Sequence, residues 1–278
     1  MLNGYTKWSK EPNTICEGAT VLTRTFHFDT DNVDKERLVR VYLPSTYDFS
    51  NPNKRFKTLY MFDGKNLFDD YTSFVGEWGV DESIEEMIRN NESEGYIVIG
   101  IDSPKNGDDR GVEMSPSRFG VNRKYRATPG YADKLVKFLF DVVKPDIDAT
   151  FFTKPEREYT GVGGSSMGGL MAFYVGMERP EMVKYCLNFS PALFLFNWDS
   201  IRDYILEKSH LDLPNQFFYV GGKDFEKLFV ESTLRAYNLF FRIFKSHERV
   251  KLIYDSDKIH HEAPWRQYFP IALKAIDN

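Results

Sequence analysis

The stretch Gly161-Val162-Gly163-Gly164-Ser165-Ser166-Met167-Gly168-Gly169 joins a short strand expected at 159–163 to a helix expected at 167–177. It contains Gly164-x-Ser166-x-Gly168. A nucleophile that turns sharply from a strand end into a helix start needs residues without bulk two positions before and two after it, so that the backbones can pass closely. Ser166 is therefore the candidate nucleophile, and the helix start behind it offers free N–H groups to a developing oxyanion. Read without that chemistry, the string is a glycine-rich helix cap. A phosphate loop is disfavoured because the lysine of GxxxxGK[ST] is missing.

The pattern on both sides alternates strand and helix. Residues 20–43 read as two antiparallel strands around the turn-rich Asp29-Thr30-Asp31-Asn32-Val33-Asp34-Lys35. Thr58-Leu59-Tyr60-Met61-Phe62 is apolar on both faces and stops at Asp63-Gly64, as a buried strand does before a tight loop. A helix is expected over 80–89, a buried strand over 95–101, and a helix over 131–143 closed by Pro145. Strands at 183–189, 216–220 and 250–254 alternate with helices at 197–210, 225–244 and 263–276. This is an α/β architecture with a mostly parallel sheet. No break in composition and no repeat of fixed period divides the 278 residues, so one domain is expected. Residues 103–129, rich in Gly, Pro and charge, read as a long loop at the site.

Composition narrows the partners. With 36 Lys and Arg against 41 Asp and Glu, the formal charge of −5 gives no net basic field for nucleic acid or an anionic membrane. No apolar run reaches the 18 residues of a membrane span, and the polar amino terminus does not read as a signal peptide. A cytoplasmic protein is expected, with Cys16 and Cys186 as free thiols outside any metal-ligand spacing. Homo-oligomerisation stays open.

A serine hydroxyl needs a base, and here the base should follow an acid in chain order. Of five histidines, only His260 and His261 come after the last predicted strand. His260 is the candidate base, and His261 is its partner, a substrate contact or a helix-start residue. Asp224, past Gly221-Gly222-Lys223, is the leading acid, with Glu226 as the nearby substitute. The plainer reading of Asp224 is a cap on the next helix. The oxyanion donors would be the N–H of Met167 and one from the loop holding Gly64 and Lys65. Asp63, Glu113, Arg118 and Trp198 are candidate substrate contacts, beside plainer readings as locally paired charges and core packing. No cofactor or metal is called for.

At this point several strings resemble a known group. They are Leu59 to Asp69 (LYMFDGKNLFD), Gly76 to Glu82 (GEWGVDE), Gly164 to Gly169 (GSSMGG), Phe189-Ser190-Pro191-Ala192, and His260 to Trp265 (HHEAPW). The chain resembles the putative esterases of the α/β-hydrolase superfamily, with their esterase D, feruloyl or acetyl-xylan esterase and enterochelin esterase branches. The resemblance covers most of the chain from about Val39. It implies the α/β-hydrolase fold with helices on both faces of the sheet. It also implies a nucleophile at Ser166, a base at His260, an acid at Asp224 and an oxyanion donor near Gly64 or Lys65. The expected activity is hydrolysis of a short-chain, sugar-linked or phenolic carboxylic ester through an acyl-enzyme. Acyl transfer by the same residues and a non-catalytic carbohydrate-binding relative are the alternatives.

Overall fold

The computed structural model describes residues 7–11, 18–29, 35–105, 107–125 and 130–277. Cys16 and part of the 103–129 loop lie outside them. Among the described residues nine strands form one sheet in the order β1-β2-β3-β5-β4-β6-β7-β8-β9. The first three, β1 (Ser9–Lys10), β2 (Thr20–His27) and β3 (Glu36–Leu43), are antiparallel, and β3 pairs antiparallel with β5 (Tyr96–Ile101). From β5 the sheet is parallel through β4 (Lys57–Phe62), β6 (Thr160–Ser165), β7 (Tyr185–Phe189), β8 (Asn215–Gly221) and β9 (Val250–Asp255).

Both faces are covered, which is why the central strands read as unbroken apolar runs. Helices α1 (Val80–Arg89) and α8 (Glu262–Asp277) pack on one face through Val80, Ile84, Trp265 and Phe269. The other face is covered by α3 (Ala132–Lys137), α4 (Lys144–Thr150), α5 (Met167–Glu178), α6 (Trp198–Lys208) and α7 (Lys227–Phe244). Every residue of α5 from Met167 to Met177 is buried, as an all-apolar helix requires.

Two expectations change. The helix predicted to stop before Pro145 continues to Thr150, because a π turn over Phe138–Val143 separates α3 from α4 and leaves Pro145 in the first turn of α4. A proline within a continuous helix needs such a break, because it has no N–H to give and its ring crowds the carbonyl of the preceding turn. The 103–129 segment also contains a two-turn helix, α2 (Gly107–Glu113), where glycine and charge pointed to loop.

The start of α1 carries a buried electrostatic load. Asp81 is fully buried, and burial, with Glu82 and then Glu77 adding to it, pushes its pKa up to about 8. Glu77 is pushed up to about 7 by burial, then by Glu82 and Asp70, against the pull of Arg266. A carboxyl group raised on folding contributes stability below its unfolded pKa and loses it as pH rises through its folded one. Stability should therefore fall between about pH 4 and pH 8 through Asp81. Asp81→Asn is expected to flatten that slope and to be the more stable protein at pH 8.5 by at least ~1 kcal/mol. Paired thermal melts at pH 5 and pH 8.5 check this.

Candidate active site

Ser166 lies immediately after β6, with φ 57° and ψ −119°. A non-glycine residue holds such a backbone only where its surroundings over-determine it. Here its N–H donates to Phe189 O at 3.0 Å, and its carbonyl accepts from Leu170 and Ala192 N–H, each at 3.0 Å. Gly164 and Gly168 are needed for the turn: a Cβ on Gly164 would lie 2.6 Å from the carbonyl of Gly168. The side chain is partly exposed, above the carboxyl ends of the parallel strands. Met167, the first residue of α5, has no intrahelical acceptor for its N–H.

The loop after β4 faces the same edge. Asp63 takes a left-handed conformation, φ 61° and ψ 48°, and Gly64–Asn66 form one 3-10 turn. That turn is closed by Asn66 N–H donating to Asp63 O and Leu67 N–H to Gly64 O, so its bonds spend neither Gly64 N–H nor Lys65 N–H. Gly64 has no room for a side chain: a Cβ would meet Asp102 Oδ1 and the backbone of Gly100 at 2.6 Å.

His260 follows β9 on a loop that folds back over β8, where Lys258 O accepts from Gly222 N–H at 3.2 Å and Lys223 N–H at 3.0 Å. Its ring stacks on Phe229 at 4.3 Å between centroids and meets Phe225 and Trp265 edge-on at 5.5 and 4.9 Å. Nδ1 bonds Glu226 Oε2. The expected Asp224 contact is thereby corrected: Asp224 is exposed, at φ 54°, and opens a 3-10 turn that brings Glu226 inward two residues later. Glu226 is fully buried. Its Oε1 accepts from Gly221 N–H at 2.9 Å and from the Ser190 hydroxyl. Trp265 Nε1–H donates to Ser190 Oγ at 3.1 Å. Indole N–H can only donate, so Ser190 must accept from it and has its one proton left for Glu226. This gives physical work to Ser190-Pro191 and Pro264-Trp265, strings visible in the sequence whose roles residue type did not reveal.

The remaining expected contacts separate. Asp63 sits at the site but is chelated by Arg110, with Nε to Oδ1 and Nη2 to Oδ2 both 2.6 Å. Glu113 is fully buried and paired with Arg37 at 2.8 Å, so it cannot touch substrate. Arg118 bonds Glu178 at 3.1 Å, at the far end of α5 from Ser166. Twelve helical residues put that end roughly 18 Å away, out of reach of an ester at Ser166. Trp198 packs against the core with Arg235 over its ring, 5.8 Å from the centroid. His261 Nδ1 accepts from Ala263 N–H at 3.2 Å, which makes it a helix-start residue of α8. Lys65 Nζ lies 5.7 Å from the Phe74 ring centroid.

The rim around these loops is apolar and open. Tyr71 and Phe74 are each 80% exposed, and Val75, Phe225 and Ile259 are exposed beside them in sequence or beside His260. Gly76 of the first loop approaches His261, where a Cβ would lie 3.7 Å from Cε1. Cys186 plays no part here: it is a free, buried thiol pushed by burial up to about 12. Among the described residues no group of three His, Cys, Asp or Glu is placed to hold a metal ion, and no helix is long and apolar enough to cross a membrane.

Comparison with known proteins gives the chain a family and a fold. The pattern of the family described as "Putative esterase" matches residues 30–275. An endo-1,4-beta-xylanase/feruloyl esterase from Xylanibacter ruminicola is 25% identical over 160 residues, which is 57% of this chain and 20% of that protein. The chain thus spans about a fifth of the length of that curated relative. Among solved structures, a siderophore hydrolase, EstA, from Aspergillus nidulans superposes with a TM-score of 0.69 at 16% identity, covering 98% of this chain and 99% of its own. A ferulic acid esterase superposes with a TM-score of 0.67 at 16% identity, covering 93% and 97%. With a matching pattern over most of its length, the chain belongs to the "Putative esterase" family.

Proposed function

We propose that the protein cleaves carboxylic esters through an acyl-enzyme on Ser166, with His260 as base and Glu226 as its acid. The observation that carries this is the His260–Glu226 hydrogen bond, whose carboxylate also binds Ser190, two residues before the Ala192 N–H that donates to Ser166 O. Ser166 Oγ bonds the ester carbonyl carbon as its proton passes to His260 Nε2. The N–H groups of Met167 and of Gly64 or Lys65 receive the oxyanion. Collapse breaks the bond to the alcohol oxygen, which takes the proton from His260. Water then adds to the acyl-enzyme by the same path and releases the acid. Glu226, accepting from Nδ1–H, fixes the imidazole tautomer and bears the opposite charge when the imidazolium forms.

The substrate reading is an ester with a planar or bulky group, such as a phenolic or sugar-linked ester. The exposed aromatic rim of Tyr71, Phe74 and Phe225 supports it, since such side chains offer flat apolar faces to rings. The feruloyl esterase relatives agree with it. Incubation with a fluorophosphonate probe is expected to add one adduct, located by peptide mass spectrometry on Ser166. Without that adduct the nucleophile assignment fails. A panel of acetyl, butyryl and feruloyl esters then reads the acyl preference.

A further inference from the structure

We propose that the Asp63–Arg110 ion pair is a positioning device for the oxyanion loop, and that Arg110 also neutralises a carboxylate that would otherwise oppose the developing negative charge. The proposal rests on the esterase reading of Ser166. It starts from a conflict in the sequence. Asp63 directly precedes the Gly64-Lys65 segment, so the chain puts an acidic side chain beside the place where an acyl-transfer reaction builds up negative charge. Like charges there work against catalysis.

The structure resolves that conflict in one contact. Both Asp63 oxygens are taken by Arg110 in a side-on fork, each at 2.6 Å, with the two side chains 9% and 26% exposed. Bidentate pairing of this kind fixes orientation as well as charge. The fork matters because Asp63 touches both halves of the candidate oxyanion hole. Its own backbone, in a left-handed conformation that side chains adopt at a cost, sets the path into Gly64. Its carboxylate lies on the first turn of α5, where a Cβ on Gly168 would be 2.9 Å from Oδ2, one residue beyond Met167. A shift of Asp63 would therefore move the loop and crowd the helix start together.

Arg110 is itself held from behind. It lies in α2 one turn before Glu113, whose buried bond to Arg37 Nη2 at 2.8 Å ties the helix to β3. Arg37 also donates from Nη1 to Asp102 O at 2.8 Å, at the end of β5 where Gly64 rests. The loop is thus gripped from the strand below and from α2 above. Burial pulls the Arg110 pKa down, but Asp63, and after it Glu262, outweigh that pull and leave the guanidinium raised above its ordinary value.

The test separates positioning and charge from simple folding. With a chromophoric ester, Arg110→Met is expected to lower kcat about 10–100-fold while KM changes less than about three-fold, the pattern of an interaction made in the transition state. Arg110→Lys, which keeps the charge but not the fork, should fall between. Asp63→Asn/Arg110→Met should be more active than Arg110→Met alone, because the uncompensated carboxylate has gone. Guanidinium ion at tens of millimolar should partly restore Arg110→Ala. Urea unfolding of each variant shows whether the fold is intact, and Arg110→Lys carries the test if Arg110→Met does not fold. Unchanged kcat in Arg110→Met, or a double variant no better than the single one, would overturn the proposal while Ser166 still labels with fluorophosphonate. Wild-type protein that neither labels nor turns over ester would overturn the esterase reading and this inference with it.

Discussion

Glu226→Gln is expected to lower kcat for a chromophoric ester by about 10³–10⁴-fold, while Asp224→Ala stays within about three-fold of the unaltered protein. The contrast follows from what each side chain faces. Glu226 takes three donors, His260 Nδ1, Ser190 Oγ and Gly221 N–H, and has no exposure to water. Its amide analogue keeps the volume but presents an NH2 group to partners that themselves donate. Gly221 N–H can only donate, so the amide oxygen takes the place of Oε1 and the NH2 faces His260 Nδ1, which drives the imidazole to the tautomer that cannot take the Ser166 proton. Asp224 is exposed on the first position of the 3-10 turn, where a carboxylate can act only through water. Active-site titration by burst amplitude, run beside steady-state kcat, separates slow acylation from loss of competent protein. Equal losses in the two variants would show that the carboxylate assignment is wrong.

The acid also shows where the sequence stops being informative. Ser166 and His260 could be picked as candidates because their constraints are local: two glycines at fixed spacing define a turn, and chain order leaves one histidine pair after the last strand. The strands were legible for a similar reason, since a parallel sheet covered on both faces demands unbroken apolar runs such as Leu59-Tyr60-Met61-Phe62. Which of Asp224 and Glu226 turns inward depends on a 3-10 turn and a left-handed residue, and residue type encodes neither strongly. The ion pairs were less visible still. Asp63 and Arg110 are 47 positions apart, and Arg37 and Glu113 are 76 apart, so each pairing exists only once the strands are ordered. Glycine and charge in 103–129 suggested an open loop with side chains free for substrate. Folding instead takes Glu113 out of water altogether.

That burial makes Glu113→Ala the variant with the largest expected effect on stability, a loss of about 3–5 kcal/mol at pH 8.5. Arg37 and Glu113 are exposed by only 1% each at their side chains, and the pair is their route out of an otherwise prohibitive desolvation. Burial pushes Glu113 up to about 7, with Arg37 pulling the other way and Asp63 and Asp109 adding to the rise. Above that value both partners are charged, so removing the carboxylate strands a guanidinium in the core. Arg37 then keeps the carbonyl of Asp102 as an acceptor, at 2.8 Å. Replacing both partners, as in Arg37→Met/Glu113→Leu, should recover most of the loss, because well-packed apolar side chains often match a buried ion pair in stability. Urea unfolding of Arg37→Met, Glu113→Leu and their double variant, beside the unaltered protein, forms a double-mutant cycle. The same proteins connect stability to catalysis, since α2 carries Arg110. If α2 is the support of the Asp63 loop, the double variant should regain its unfolding midpoint more fully than its kcat. Full recovery of both would mean that the Arg37–Glu113 pair holds the helix but does not set the position of Arg110.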